Sequence, residues 1–191
     1  MIRLLIVDDE QMTRDGLKQY IPWEELGVGA VETAKNGQTA LELASVFKPD
    51  ILLTDVRMPK MDGIQLASRI RKEYPNCKII FLSGYSDKEY LKSAIHLKAI
   101  SYIEKPLNIE EITATLKDAI AMHNEEEKQR MQAQKMESSL AESIPLLRQE
   151  IALELIKDHP NPMRFADKYD TLLLKSIEEQ LYTAAAILLN W

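Results

Sequence analysis

Three aspartates and one lysine stand where their side chains could do chemistry together. Asp8, Asp9, Asp55 and Lys105 each end or follow a short apolar, strand-like run of sequence. In an open α/β sheet, side chains at the C-terminal ends of parallel strands meet at one edge, where such folds bind their ligands. We therefore expect these four residues to form a single pocket.

The residue types in this pocket favour one kind of chemistry. Three neighbouring carboxylates would repel one another strongly unless a cation shared them. A hard divalent ion with oxygen ligands, usually Mg²⁺, meets that need. The lysine adds one positive charge that suits the oxygen atoms of a phosphoryl group. The residues therefore predict a site for a metal ion beside a phosphoryl group.

Each of these residues also has a plainer interpretation. The acids at 8–10 could simply favour the dipole of a following helix. Asp55 could be an ordinary turn acid, and Lys105 could belong to an exposed loop. These interpretations would have to hold independently at three strand ends, so we favour the shared site.

The elements that must position these side chains alternate along the chain. Strand-like runs lie at 3–7, 29–34, 50–54, 77–82 and 101–103, and helix-like stretches at 11–20, 37–47, 63–73, 87–97 and 109–122. Four of the strand-like runs are short apolar runs rather than alternating ones, as strands of a buried parallel sheet require. Asn108, followed by Glu111, predicts the start of the last helix. The pattern predicts an α/β, doubly wound five-stranded parallel sheet in residues 1–122.

Residues 123–159 are predicted to form a helical linker. The segment begins with a polar stretch rich in strong helix formers. Apolar residues then recur in steps of three and four, at Met136, Leu140, Ile144, Leu147, Ile151 and Leu155. This stripe predicts packing against a partner helix, which could make a homodimer. Pro145 must then lie in a first turn or at a kink.

The last segment, 160–191, is expected to begin a further domain. It follows a break at 159–162, where two prolines interrupt the helical pattern. A helix at 163–180 and a strand at 183–189 are expected after it. Because the sequence is still apolar at Trp191, we expect this domain to be cut short.

Composition and charge exclude some classes of function. The net charge of the 191 residues is -6, and neither 1–122 nor 123–191 has an excess of basic residues. DNA-binding modules normally present a basic face to phosphates, so DNA binding by this chain alone is not expected. A single cysteine, Cys77, favours a reducing cytoplasmic location. The N-terminus lacks a signal-peptide pattern, and no apolar run is long enough to span a bilayer, so no membrane contact is expected.

Four motifs in order resemble the receiver domain of two-component response regulators. They are LIVDDE at 5–10, LTDVRMPKMDG at 53–63, FLSGY at 81–85 and YIEKP at 102–106. Each is modest evidence singly, but all four at these intervals are specific. The stretch YIPWEELG at 20–27 resembles a narrower group, whose full-length members end in an AraC-type helix-turn-helix domain. The chain departs from the family at Lys98-Ala99, where receivers commonly have a glycine.

The resemblance implies a flavodoxin-like receiver with Mg²⁺ as its cofactor. Asp55 would be the phosphoacceptor, taking a phosphoryl group from a sensor histidine kinase. Asp9 and Asp55 would bind the metal directly, Asp8 through water, and Arg57 through its backbone carbonyl. Lys105 would contact the phosphoryl oxygen.

The resemblance also implies a switch. Ser83 would donate a hydrogen bond to the phosphoryl group while Tyr102 turns inward. We further predict a cis peptide bond before Pro106, which would direct the lysine amine into the pocket. DNA would be bound only through a C-terminal domain that this chain lacks.

Two other functions are compatible with these residues. One is a stand-alone receiver switch that acts by contacting a protein or an RNA. The other is an aspartyl-phosphate hydrolase, although such enzymes commonly carry a second acid two residues after the nucleophile, where this chain has Arg57. We expect a transcription-regulating switch rather than an enzyme.

Overall fold

In the computed structural model, which describes residues 1–84 and 90–157, strands and helices alternate along the chain. The strands are β1 (Ile2–Val7), β2 (Val28–Ala34), β3 (Ile51–Asp55), β4 (Lys78–Ser83) and β5 (Ser101–Glu104). The helices are α1 (Gln11–Tyr20), α2 (Gly37–Phe47), α3 (Gly63–Glu73), α4 (Leu91–His96) and α5 (Ile109–Lys157). The five predicted strands are confirmed to within one residue at each end. Part of the helix predicted at 87–97 lies outside the described residues.

The strands form one parallel sheet in the order β2-β1-β3-β4-β5. This is the flavodoxin-like order, so the predicted doubly wound fold is confirmed. The strand order reverses at β1, which pairs with β2 on one side and with β3 on the other. Ligands bind in such folds at the crevice outside the carboxyl ends of the two strands where the order reverses. Asp8 follows β1 and Asp55 ends β3, so both acids lie at that crevice.

Both faces of the sheet are covered, because successive residues of a strand point to opposite sides. On β1, Leu4 and Ile6 join a cluster with α1 and α5, whereas Leu5 and Val7 join a cluster with α2, α3 and α4. Cys77 belongs to the second cluster, and burial raises the pKa of its thiol to about 12. Cys77 is therefore a packed core residue rather than a nucleophile.

Side-chain caps fix where several helices begin. Asn36 and Asp62 accept hydrogen bonds from backbone N–H groups in the first turns of α2 and α3. The Asn108 side chain accepts from the N–H groups of Glu110 and Glu111 at 2.8 and 3.3 Å, so the predicted start of α5 is confirmed. Lys98, in the pair Lys98-Ala99 where receivers commonly have a glycine, adopts φ 51°. The loop after α4 therefore keeps a left-handed residue without a glycine.

The chain divides into two compact units, Met1–Met131 and Gln132–Trp191. Helix α5 runs on to Lys157, and Pro145 lies inside it, so this proline does not begin a new helix. In the apolar stripe, Met136 and Leu140 are exposed. The predicted break and the further domain, 160–191, lie outside the described residues. None of the helices in the described ranges combines the length and apolar character that a bilayer span requires.

Candidate functional site

The four residues predicted to form one pocket lie together at the C-terminal edge of the sheet; they are Asp8, Asp9, Asp55 and Lys105. Asp8, Asp9 and Asp55 each present a carboxylate oxygen, and these atoms all lie within 4.8 Å of one another. The Lys105 Nζ donates to Asp55 Oδ2 at 2.8 Å and to Asp8 Oδ2 at 3.2 Å. The lysine thus bridges the acid after β1 and the acid that ends β3, as the single predicted pocket requires.

Burial and neighbouring charges shift the pKa values of Asp8 and Lys105 in opposite directions. Asp8 is fully buried, and this burial raises the pKa of its carboxyl group despite the Glu10 N–H and the Lys105 ammonium, which both favour the carboxylate. Burial by itself would lower the pKa of Lys105, but the hydrogen bond to Asp55 and the charges of both acids outweigh it and raise that pKa. The Lys105 amine is therefore held in its protonated, positively charged form.

The carboxylates fit a hard divalent cation. Three acids share a space with one lysine, so their negative charge is only partly compensated. Two of them, Asp8 and Asp55, are buried, whereas Asp9 is exposed and open to an arriving ion. All three offer the oxygen ligands that Mg²⁺ prefers. The cluster could therefore hold a metal ion between the ends of β1 and β3.

The loop after β3 closes tightly around Asp55. The Arg57 backbone N–H donates to Asp55 Oδ1 at 3.3 Å. The Gly63 N–H donates to the Val56 carbonyl at 2.9 Å, which brings the start of α3 against the strand end. A Cβ atom added to Gly63 would lie 2.0 Å from the Asp55 carbonyl oxygen, so only glycine fits there. The Asp-Gly pair at 62–63 was the available sequence signal for this contact.

The two predicted switch residues contact each other. Ser83 ends β4 and is fully buried, and its hydroxyl oxygen lies 2.6 Å from the hydroxyl oxygen of Tyr102. The Gly84 carbonyl oxygen lies 3.0 Å from the same Ser83 oxygen, so the single hydroxyl hydrogen of Ser83 goes either to Gly84 or to Tyr102. The Lys105–Pro106 peptide bond is cis. The structure therefore brings Ser83, Tyr102 and Pro106 to the same edge of the sheet as the acids.

Arg14 is a residue that the sequence analysis missed. It lies in the first turn of α1, and its Nη1 donates to the Asp8 carbonyl oxygen at 2.7 Å. A basic residue one turn into the helix that follows two acids was the only available signal, and many exposed helices share it.

Residues 4–117 match the response regulator receiver domain. The chain belongs to this family. The acid cluster lies within the matched residues, and the fold and the chain order of the motifs agree with the family assignment. As a receiver, it is a domain of a two-component response regulator.

Curated relatives of this receiver include regulators of transcription. An uncharacterized response regulatory protein of Staphylococcus epidermidis is 41% identical over 108 residues, which cover 56% of this chain and 42% of that protein. The transcriptional regulatory protein HptR of Staphylococcus aureus is 39% identical over 108 residues, which cover 56% of this chain and 42% of that protein. The chain thus spans less than half the length of these relatives.

Solved structures place this receiver near a narrower group. A two component transcriptional regulator AraC from Clostridium phytofermentans is 50% identical with a TM-score of 0.63, covering 65% of this chain and 97% of that one. The receiver domain of AraT, a response regulator from Geobacillus stearothermophilus, is 35% identical with a TM-score of 0.59. The match covers 68% of this chain and 98% of that one. The resemblance to AraC-type regulators expected from 20–27 is thus confirmed.

Proposed function

We propose that this receiver takes a phosphoryl group from a sensor histidine kinase onto Asp55. The observation that carries the proposal is the Lys105 ammonium, which lies 2.8 Å from Asp55 Oδ2 amid three clustered carboxylates. An acid at a strand end becomes a useful nucleophile when neighbouring groups can neutralise the charge that arrives with its substrate. Lys105 supplies part of that charge, and the acid cluster attracts a cation that would supply the rest.

The transfer itself exchanges one bond for another. A carboxylate oxygen of Asp55 attacks the phosphorus of a phosphohistidine, the P–O bond forms, and the P–N bond breaks with its electrons returning to the imidazole. Asp9 and Asp55 would hold Mg²⁺ directly, Asp8 through water, and Arg57 through its carbonyl. The bound ion would neutralise charge on the phosphoryl oxygens. Lys105 would turn from the aspartates to a phosphoryl oxygen.

The receiver would then act as a switch rather than as an enzyme. Ser83 would donate its hydrogen bond to the phosphoryl group, Tyr102 would follow, and the population of the two states would shift. We propose that the output is DNA binding by a further domain of the full-length protein, which agrees with the names of its relatives and with the part of their length that this chain spans. A cytoplasmic location and no membrane contact follow from this role.

Phosphorylation by a small donor tests the proposal. The protein is incubated with acetyl phosphate, with and without Mg²⁺, and the modified peptide is mapped. We expect one phosphoryl group on Asp55, which requires Mg²⁺ and is absent from Asp55→Asn. Asp50→Asn is the matched control, because Asp50 precedes the same strand at its other end and should leave labelling intact.

Other outcomes of that experiment would contradict the proposal. Label retained in Asp55→Asn would move the phosphoacceptor to another residue. Rapid release of phosphate with no accumulated phosphoprotein would favour the aspartyl-phosphate hydrolase instead.

The linker at 123–159 is proposed to pair two copies of the chain. The exposed side chains of Met136 and Leu140 support this, because a partner helix would remove them from water. Light scattering should give a dimer mass for residues 1–191 and a monomer mass for a chain ending at Met122. Leu140→Glu should dissociate the dimer, whereas Met131→Glu, exposed but outside the stripe, should not. Equal monomer masses throughout would contradict pairing.

A further inference from the structure

Asp9 differs from the other two acids in how it is held. It is exposed, whereas Asp8 and Asp55 are buried and bound to Lys105. Among the described residues, no hydrogen bond or ion pair holds the Asp9 carboxylate itself. Its direction must therefore come from the backbone on either side of it.

Both peptide groups that flank Asp9 are fixed by hydrogen bonds. The peptide before it carries the Asp8 carbonyl, which accepts from Arg14 Nη1 at 2.7 Å. The peptide after it carries the Glu10 N–H, which donates to Asp8 Oδ1 at 2.8 Å. Because each peptide group is planar, fixing one atom of each restricts the two rotations at the Asp9 Cα atom. The direction of the Asp9 side chain follows from those rotations.

Arg14 is well placed to do this from the helix. It is half-buried in the first turn of α1, and its backbone N–H donates to the Glu10 carbonyl at 3.2 Å. The arginine therefore ties the start of α1 to the end of β1 across the loop that contains Asp9. A guanidinium holds its donors in a fixed plane, whereas a lysine ammonium is a point charge on a flexible stem, so Arg14→Lys keeps the charge without the fixed direction of the donor.

We propose that Arg14 is a positioning residue that directs the Asp9 carboxylate toward the divalent ion. This inference rests on the proposed function, because it assumes that Asp9 is a metal ligand. Arg14 acts through the backbone, not by touching the ion or the phosphoryl group. Groups that orient metal ligands typically change metal affinity by about 10- to 100-fold when they are removed.

The positive charge of Arg14 should weaken Mg²⁺ binding, whereas its orientation of Asp9 should strengthen it. The direction of the change in Mg²⁺ affinity when Arg14 is replaced therefore tests the proposal. A cation near the pocket repels Mg²⁺, so removing the charge alone would tighten binding. Losing the orientation of Asp9 would weaken binding. The two roles of Arg14 therefore predict changes of Mg²⁺ affinity in opposite directions.

Titration calorimetry of the full chain with Mg²⁺ alone measures this affinity without any phosphodonor. We expect Arg14→Gln and Arg14→Lys each to weaken Mg²⁺ binding about tenfold. Lys18→Gln is the matched control: it removes one exposed positive charge from the last turn of the same helix and should leave the affinity unchanged. In an Asp9→Asn background, Arg14→Gln should have little further effect, because two residues that act through one group are not additive.

A second readout separates positioning from a loss of folding. The Mg²⁺ concentration that half-saturates phosphorylation by acetyl phosphate should rise about tenfold in Arg14→Lys, whereas the rate at saturating Mg²⁺ should stay within about twofold. A fall in that saturated rate with unchanged Mg²⁺ dependence would overturn the proposal.

The remaining outcomes also discriminate. Tighter binding in Arg14→Gln with unchanged binding in Arg14→Lys would mean that Arg14 acts only through its charge, and the proposal would be wrong. Wild-type protein that binds no Mg²⁺ would overturn the proposed metal site and this inference with it. Wild-type binding that all Arg14 variants retain would overturn this inference alone.

Discussion

The hydroxyl groups of Ser83 and Tyr102 are hydrogen-bonded across β4 and β5, with 2.6 Å between their oxygen atoms. The Tyr102 ring also packs against Phe81, its register partner on β4, in a tilted arrangement with 6.4 Å between ring centroids. If the Ser83 side chain turns toward a phosphoryl oxygen, its hydroxyl oxygen moves away from Tyr102, and this hydrogen bond breaks whichever of the two hydroxyl groups donates it. This hydrogen bond therefore opposes the proposed switch.

Removing the tyrosine hydroxyl should make the switch easier. A neutral hydrogen bond contributes about 1 kcal/mol, so Tyr102→Phe should favour the Ser83 position that faces Asp55 by up to about fivefold. We expect the variant to bind beryllium fluoride, a mimic of the acyl phosphate, about fivefold more tightly in the presence of Mg²⁺. Tyr74→Phe is the matched control, because the Tyr74 hydroxyl contacts the Ala44 carbonyl and not Ser83. Unchanged or weaker binding by Tyr102→Phe would contradict the argument.

Lys105 should stabilise the fold as well as the site. Lys105→Met leaves the buried Asp8 and Asp55 carboxylates facing each other without their shared cation. Removing one partner of a buried pair costs about 3–5 kcal/mol, and the 25% exposure of the lysine side chain favours the lower value. Urea unfolding without Mg²⁺ should therefore show that Lys105→Met lowers the free energy of unfolding by about 3 kcal/mol.

The cause can be separated by a second substitution. Lys105→Met combined with Asp55→Asn should recover most of that loss, because one of the repelling charges is gone. A double variant as unstable as Lys105→Met would mean that lost packing, not repulsion, destabilises the protein.

The ion pair between Lys78 and Glu126 should be asymmetric. The Lys78 side chain at the start of β4 is 7% exposed, whereas that of Glu126 on α5 is 51% exposed. Glu126→Gln deprives a buried ammonium of its charged partner and should cost about 1–3 kcal/mol. Lys78→Met removes the buried charge and leaves a solvated glutamate, so it should be neutral or stabilising. Equal losses in the two variants, measured by urea unfolding, would be the contrary result.

The Arg3–Asp50 pair predicts how stability depends on pH. Burial would raise the pKa of Asp50, but its hydrogen bonds from the Arg3 side chain and backbone outweigh burial and lower that pKa. The folded protein therefore binds this proton less tightly than the unfolded chain. The stabilisation that the Arg3–Asp50 pair gives to the folded protein is fully present above the ordinary carboxyl pKa of about 4. It is lost as pH falls through the lower pKa that Asp50 has in the folded protein.

Asp50→Asn should remove this part of the pH dependence. At pH 7, the free energy of unfolding of the variant should be about 1 kcal/mol lower than that of the wild type. The loss is small because the arginine is partly solvated. The difference between the two proteins should shrink toward acid pH. Unfolding by urea at pH 3 to 7 measures it, and a difference that grows on acidification would contradict the assigned direction.

Sequence patterns alone predicted the five strands of the sheet and the acids at their ends. Local patterns sufficed for this, since short apolar runs such as 51–53 indicate buried strands and the side chain of Asn108 marks a helix start. Chain order then placed Asp8, Asp9, Asp55 and Lys105 at strand ends. In a parallel sheet, all such ends share one edge.

Which groups at that edge touch one another depends on how the strands and helices pack. The strand order puts β1 beside β3, so Asp8 meets Asp55 although 46 residues separate them in the chain. The contacts of Arg14 with the Asp8 carbonyl and of Ser83 with Tyr102 depend on how α1 and β5 pack, which no local periodicity encodes. The same holds for Gly63 against Asp55, because the need for glycine arises from a neighbouring backbone atom and not from its own turn. Periodicity records which face of an element is apolar, whereas these contacts depend on distances between elements that are far apart in the chain.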